Sequence, residues 1–233
     1  MQPERQTVRT AQGSAASYQD AVRESALATN KVLRNTYMLL AATLAFSGLT
    51  AGIGIVTKMP FLNPILTLAV YFGLLFMTSR FRNSGLGLVC VFALTGFLGL
   101  TLGPILSFYL TSVPNGGQLV LTSLGATGLI FAGLSGYVLT TRKDFSFLGG
   151  FVMVGMLGLL GVIVLGLFVD LSAMQMAISA GVVVLMAALI LYQTSEIING
   201  GETNYILATV TLYVSIYNLF LNLLMLFGLG GDD

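Results

Sequence analysis

Seven stretches of about twenty predominantly apolar residues follow one another along this chain, separated by connectors of only a few residues. A bilayer core takes roughly 20 such residues of helix, so each stretch is long enough to cross it. They run approximately over Tyr37–Val56, Phe61–Thr78, Gly85–Tyr109, Leu119–Thr140, Leu148–Val169, Met174–Thr194 and Tyr205–Leu229. Hydrocarbon offers a backbone no hydrogen bonds, so each stretch must satisfy its own amides as a helix. Connectors as short as Thr57–Pro60 and Asp170–Ala173 then hold successive helices together as antiparallel neighbours. The expected fold is an all-α integral membrane protein: a seven-transmembrane-helix bundle over residues 35–233 behind a polar tail over residues 1–34.

Composition excludes most chemistry. The chain is 56% hydrophobic and 8% charged, against about 45–50% apolar and 25% charged in soluble domains. It has no histidine and one cysteine, Cys90, inside an apolar run. Disulfides, His-ligated metals and His-dependent catalysis are thereby removed. Intramembrane proteolysis by metal, serine or paired aspartates lacks its groups, since Asp144 and Asp170 lie in connectors while Glu196 and Glu202 lie at or beyond the inner end of the sixth span. No phosphate cradle and no nucleic-acid surface is present. The expectation is a protein that is not an enzyme, with no catalytic residues, metal site or cofactor.

Lys and Arg orient the chain, because cytoplasmic loops carry the excess of positive charge. With the N-terminus inside, Arg5, Arg9, Arg23, Lys31, Arg34, Arg80, Arg82, Arg142 and Lys143 fall on the cytoplasmic side and only Lys58 falls outside. Seven crossings put Asp232 and Asp233 in the periplasm; a last segment that re-enters would return them inside. Residues 1–36 carry no apolar run of the kind a secretory signal needs, and their composition suits a mobile segment with a short helix around Tyr18 to Ala28.

Polar side chains within the apolar runs cost free energy unless they face the bundle interior. Thr211, Ser215, Asn218 and Asn222 are spaced four, three and four, which places them on one stripe of the last helix. Gly48 with Gly52, Gly99 with Gly103, and Gly155, Gly158 and Gly161 form strips of the kind that lets helices approach closely. Gly103-Pro104 either kinks the third span or ends it.

Taken together, Arg142-Lys143-Asp144-Phe145-Ser146-Phe147-Leu148, Gly103-Pro104-Ile105 and Leu212-Tyr213-Val214-Ser215-Ile216-Tyr217-Asn218-Leu219-Phe220 resemble the Bax inhibitor-1 family, also called the transmembrane Bax inhibitor motif family. The resemblance covers nearly the whole chain from Lys31 onward. Lys31-Val32-Leu33-Arg34-Asn35-Thr36-Tyr37, Thr140-Thr141-Arg142-Lys143-Asp144 and Gly200-Gly201-Glu202-Thr203-Asn204-Tyr205-Ile206 resemble its proteobacterial YccA subgroup, described as modulating the membrane-anchored ATP-dependent protease FtsH. The resemblance implies a bundle whose seventh helix is central. In members studied as calcium leaks it also implies an aspartate pair on the sixth and seventh spans, and two close carboxylates share protons and bind cations. The matching positions here are Gln193 and Ser215, which neither titrate near neutral pH nor offer formal charge.

Two functions follow as expectations. One is an inner-membrane regulator that binds an FtsH-like protease, its polar tail serving as the handle a processive unfoldase needs. The other is a pathway for Ca2+ or H+ lined by Gln193, Tyr213, Ser215, Asn218 and Asn222, with an inner latch between Arg80 or Arg82 and Glu196. Against the pathway stands a plain packing role, in which these side chains bond between helices and hold the seventh in place.

Overall fold

The computed structural model describes residues 3–230, with side chains described at Leu27 and from Thr29 onward. The tail, expected to be mobile with a short helix around Tyr18 to Ala28, is helical from Pro3 and continuous with the first span, while the side chains that a recognition role would use lie mostly outside those described. The described chain is all-helical apart from its connectors: α1 (Pro3–Val56), α2 (Pro64–Arg80), α3 (Gly85–Ser112), α4 (Gly116–Thr141), α5 (Leu148–Leu165), a 3-10 turn over Ser172–Met174, α6 (Gln175–Asn199) and α7 (Tyr205–Leu229). Six of these are long and apolar enough to cross a membrane, α1 through its Thr29–Val56 portion. The seventh, α2, has 17 residues and spans about 26 Å at 1.5 Å per residue, the short end of what crosses.

Local chemistry sets the helix limits. Asn63 opens α2 by accepting the Ile65 and Leu66 amides on its Oδ1, with Pro64 in the first turn where a missing N–H is harmless. α6 runs five residues past the expected Thr194 and stops at Gly200, whose φ of 79° is the left-handed cap that glycine adopts freely. Glu196 therefore sits inside α6. Pro104 neither ends nor interrupts α3, which continues to Ser112.

Packing follows the small residues, though not all the strips anticipated. α1 and α3 form the closest pair: a Cβ on Gly99 would strike Thr50 Oγ1 and the Ser47 backbone, and one on Gly103 would come within 2.6 Å of the Gly54 Cα. Gly48 and Gly52 face open space, as do Gly158 and Gly161, while Gly155 alone of its strip meets a neighbour, Leu185. The partner of Gly103 is thus Gly54, which lies on a stripe with Thr43, Ser47 and Thr50.

α7 packs against α1, α2, α3, α4 and α6. Its Leu212, Tyr213, Ser215 and Leu219 are 0–1% exposed. α5, by contrast, has a close backbone approach only to α6, and none to α2, among the described residues.

Candidate functional site

Tyr213 is the most deeply held of the anticipated polar residues. Its hydroxyl lies 2.6 Å from Ser47 Oγ on α1 and donates to the Thr95 carbonyl on α3 at 3.3 Å. One turn on, Tyr217 stacks on it at 6.3 Å and shares a 3.1 Å hydrogen bond with Thr101 Oγ1 on α3. These two tyrosines bind α7 to the first and third helices in a layer where water is scarce and hydrogen bonds are correspondingly valuable. Ser47 is the residue that sequence reading passed over, although its spacing from Thr43 and Thr50 is as regular as that of the α7 stripe.

The α7 stripe itself behaves otherwise. Ser215 Oγ donates to the Thr211 carbonyl at 2.8 Å, Asn218 Nδ2 to that of Val214 at 2.8 Å, and Asn222 Nδ2 to that of Asn218 at 2.8 Å. Each bonds back to its own helix, four residues earlier, a habit of short polar side chains in helices. The interhelical bonds expected of this stripe are made instead by Tyr213 and Tyr217, about 170° and 130° away around α7.

Gln193 is buried on α6 at 6% exposure, and its Nε2 finds no hydrogen-bond partner among the described residues. It lies about 9 Å from the C-terminal end of α6, and Ser215 about 15 Å from the N-terminal end of α7, at 1.5 Å per residue. Ser215 gives its proton to Thr211, so the two positions do not form a hydrogen-bonded pair. A buried donor left unpaired costs about 1–3 kcal/mol. Gln193→Met, of similar shape and without the amide, is therefore expected to stabilise the fold by about 1–2 kcal/mol, read as a higher midpoint in detergent-denaturant titration; a lower midpoint would show the amide to be engaged.

The end of the bundle that carries the α2–α3, α4–α5 and α6–α7 connectors is tied by two uncharged residues. Ser195, fully buried beside Gln193 in sequence, accepts the Phe145 amide at 2.8 Å and the Asn199 Nδ2 at 3.1 Å, joining the α4–α5 connector to α6. Asn204 caps α7 by accepting the Ile206 and Leu207 amides, while its Nδ2 donates to the Arg82 carbonyl at 3.2 Å and to Asn83 Oδ1 at 2.8 Å. Its own amide donates to Glu202 Oε1 at 2.7 Å. The α2–α3 and α6–α7 connectors are thus joined through Asn204. Glu196 lies against Gly201, and Arg80 and Arg82 are exposed.

In the α4–α5 connector, Asp144 Oδ1 accepts the Ser146 amide at 2.8 Å, which holds its carboxyl below the usual range. A depressed carboxyl contributes stability above its ordinary pKa and loses it as pH falls through the lowered value; this exposed group titrates below neutral pH. Among the described residues no three His, Cys, Asp or Glu side chains gather as a metal site would require.

Comparison with known proteins gives a consistent picture. A family model described as "Inhibitor of apoptosis-promoting Bax1" matches residues 29–232. The chain is similar to "Modulator of FtsH protease YccA" of Escherichia coli K12, at 49% identity over 91% of this chain and 95% of that protein. It is also similar to an uncharacterized protein of Pseudomonas aeruginosa at 57% identity, over 87% of this chain and 91% of the relative. A third relative is an uncharacterized membrane protein of Vibrio cholerae, at 40% identity over 90% and 94%.

Proposed function

The chain belongs to the Bax inhibitor-1 family and groups there with YccA, and on that premise we propose that it is an inner-membrane regulator that binds and modulates an FtsH-type protease. The observation that carries this reading is the 49% identity, spread over nine-tenths of both chains, to a protein named as a modulator of that protease. In this reading the N-terminus and the arginine-bearing ends of α2 and α4 face the cytoplasm, α7 is the axis of the bundle, and the C-terminus is periplasmic.

The polar residues fit a scaffold better than a conduit. Asn218 and Asn222 bond to their own helix, and Tyr213 is engaged on the opposite face by α1 and α3. We assign Tyr213 to holding α7 in register, and Ser215, Asn218 and Asn222 to satisfying its backbone. Gln193 offers no carboxylate, so a divalent cation has no formal charge to bind there. Arg80, Arg82 and Glu196 we assign to the surface at the inner mouth.

The test is co-purification with the protease from native membranes, coupled to degradation of a membrane substrate. Excess full-length chain is expected to co-purify and to slow degradation severalfold. Removing residues 2–28 should abolish the chain's own turnover by the protease. Absence of co-purification together with unchanged degradation would remove the proposal.

A further inference from the structure

We propose that the inner half of the bundle carries a site for one anionic phospholipid, its headgroup at Arg80 and Arg82 and one acyl chain in the crevice between α2 and α5. This inference stands independently of the proposed protease partner. Two neighbouring hollows make it up.

The first is a pocket of about 410 Å³ at the inner end of α2, lined by Phe76, Ser79, Arg80, Arg82 and Asn83. It holds two guanidinium groups, two neutral polar side chains and no acid. Arg80 and Arg82 are both exposed, and Arg80 occupies the last turn of its helix. A planar guanidinium binds phosphate through paired hydrogen bonds, and basic pockets at the cytoplasmic interface recognise anionic headgroups.

The second hollow is a crevice of about 310 Å³ whose walls include Tyr71, Phe72 and Leu75 of α2 and Met156, Leu159 and Ile163 of α5. Its floor includes Tyr217 and Asn218 of α7. Among the described residues the backbones of α2 and α5 do not approach each other closely, which leaves room for the crevice between them. Its lining carries no charge. In a bilayer the neighbouring medium is lipid, so an acyl chain is the occupant whose chemistry matches the walls.

The two hollows belong to one continuous stripe of α2. Leu68, Phe72 and Leu75 line the crevice, Ser79 lines the pocket, and their spacings of four, three and four keep them on one face. Depth agrees as well. Leu75 lies about 8 Å and Leu68 about 18 Å from Arg80 along the helix, while a leaflet of hydrocarbon is about 15 Å thick. A chain hanging from a headgroup at Arg80 would therefore traverse the crevice to the midplane.

Because the protein has no tryptophan, a single introduced one reports its own surroundings. Two single-tryptophan variants are compared, Phe72→Trp as the crevice reporter and Met153→Trp as the reporter on the lipid-facing side of α5. Both are placed in vesicles containing phosphatidylglycerol and phosphatidylcholine, with one or the other lipid brominated on its acyl chains. At equal mole fraction, brominated phosphatidylglycerol is expected to quench the crevice reporter on the order of tenfold more effectively than brominated phosphatidylcholine, and both lipids to quench the α5 reporter alike. Adding Arg80→Gln and Arg82→Gln should abolish the preference at the crevice reporter, with helicity and thermal midpoint confirming the fold. Equal quenching in the crevice by the two lipids, an equal preference at both reporters, or a preference that survives loss of both arginines would each overturn the site.

Discussion

Gly99→Val is expected to lower stability by about 3 kcal/mol or more, while Gly48→Ala, on an adjacent helix of the same bundle, leaves it unchanged or raises it slightly. A side chain at Gly99 has nowhere to go, because the atoms in its way include the carbonyl oxygen and Cα of Ser47. Backbone cannot rotate aside as a leucine tip does, so α1 and α3 must separate. That separation would also pull Ser47 from Tyr213, which it meets at 2.6 Å, and Gly54 from Gly103. Gly48 faces open space, where a methyl group meets nothing and a helix gains about 0.5–1 kcal/mol from the lost backbone freedom. Denaturant titration of the two variants in one detergent decides the matter: similar losses would mean that the seam is not where the close packing resides.

Asn204→Ala should cost about 2–3 kcal/mol, since it removes an N-cap worth about 0.5–2 kcal/mol together with two hydrogen bonds to the α2–α3 connector. Asn204→Asp separates the two contributions. It keeps the oxygen that accepts the Ile206 and Leu207 amides but loses the donor to Arg82 and Asn83, and it sets a negative charge against two acceptor oxygens. An intermediate loss of about 1 kcal/mol is expected. Hydrogen exchange at Ile206 and Leu207 provides the local reading, faster in the alanine variant and near parental in the aspartate one. Equal protection in all three would mean that the cap does not govern this end of α7.

The helices were legible because lipid leaves an apolar segment one way to satisfy its backbone, and each of the seven anticipated segments corresponds to a helix. Their ends were less so. α6 outruns its apolar stretch because Ser195 is buried against the α4–α5 connector and Ile197 in the core, and because Gly200 supplies the stop. The stripe of Thr211, Ser215, Asn218 and Asn222 was visible in its spacing, but spacing does not tell whether a side chain reaches across to a neighbour or back to its own carbonyl. Ser47 went unnoticed for a related reason: its regular spacing from Thr43 and Thr50 does not tell what the stripe faces until the opposite tyrosine is placed against it. Glycine strips shared that ambiguity. Gly99 with Gly103 and Gly48 with Gly52 have the same spacing, yet only the first faces a backbone.

The bonds that Tyr213 and Tyr217 make to Ser47, Thr95 and Thr101 bear on how the chain is made as well as on how it stands. The helix that carries both tyrosines is made after every helix it joins. Until then the hydroxyl of Ser47 must turn back on its own helix or do without, and the α1–α3 pair is held mainly by its glycine contacts. A transcript cut short before Tyr205 would yield six inserted helices without the element that five helices of the finished bundle pack against. Completion of the core thus waits for α7 to join the helices that precede it.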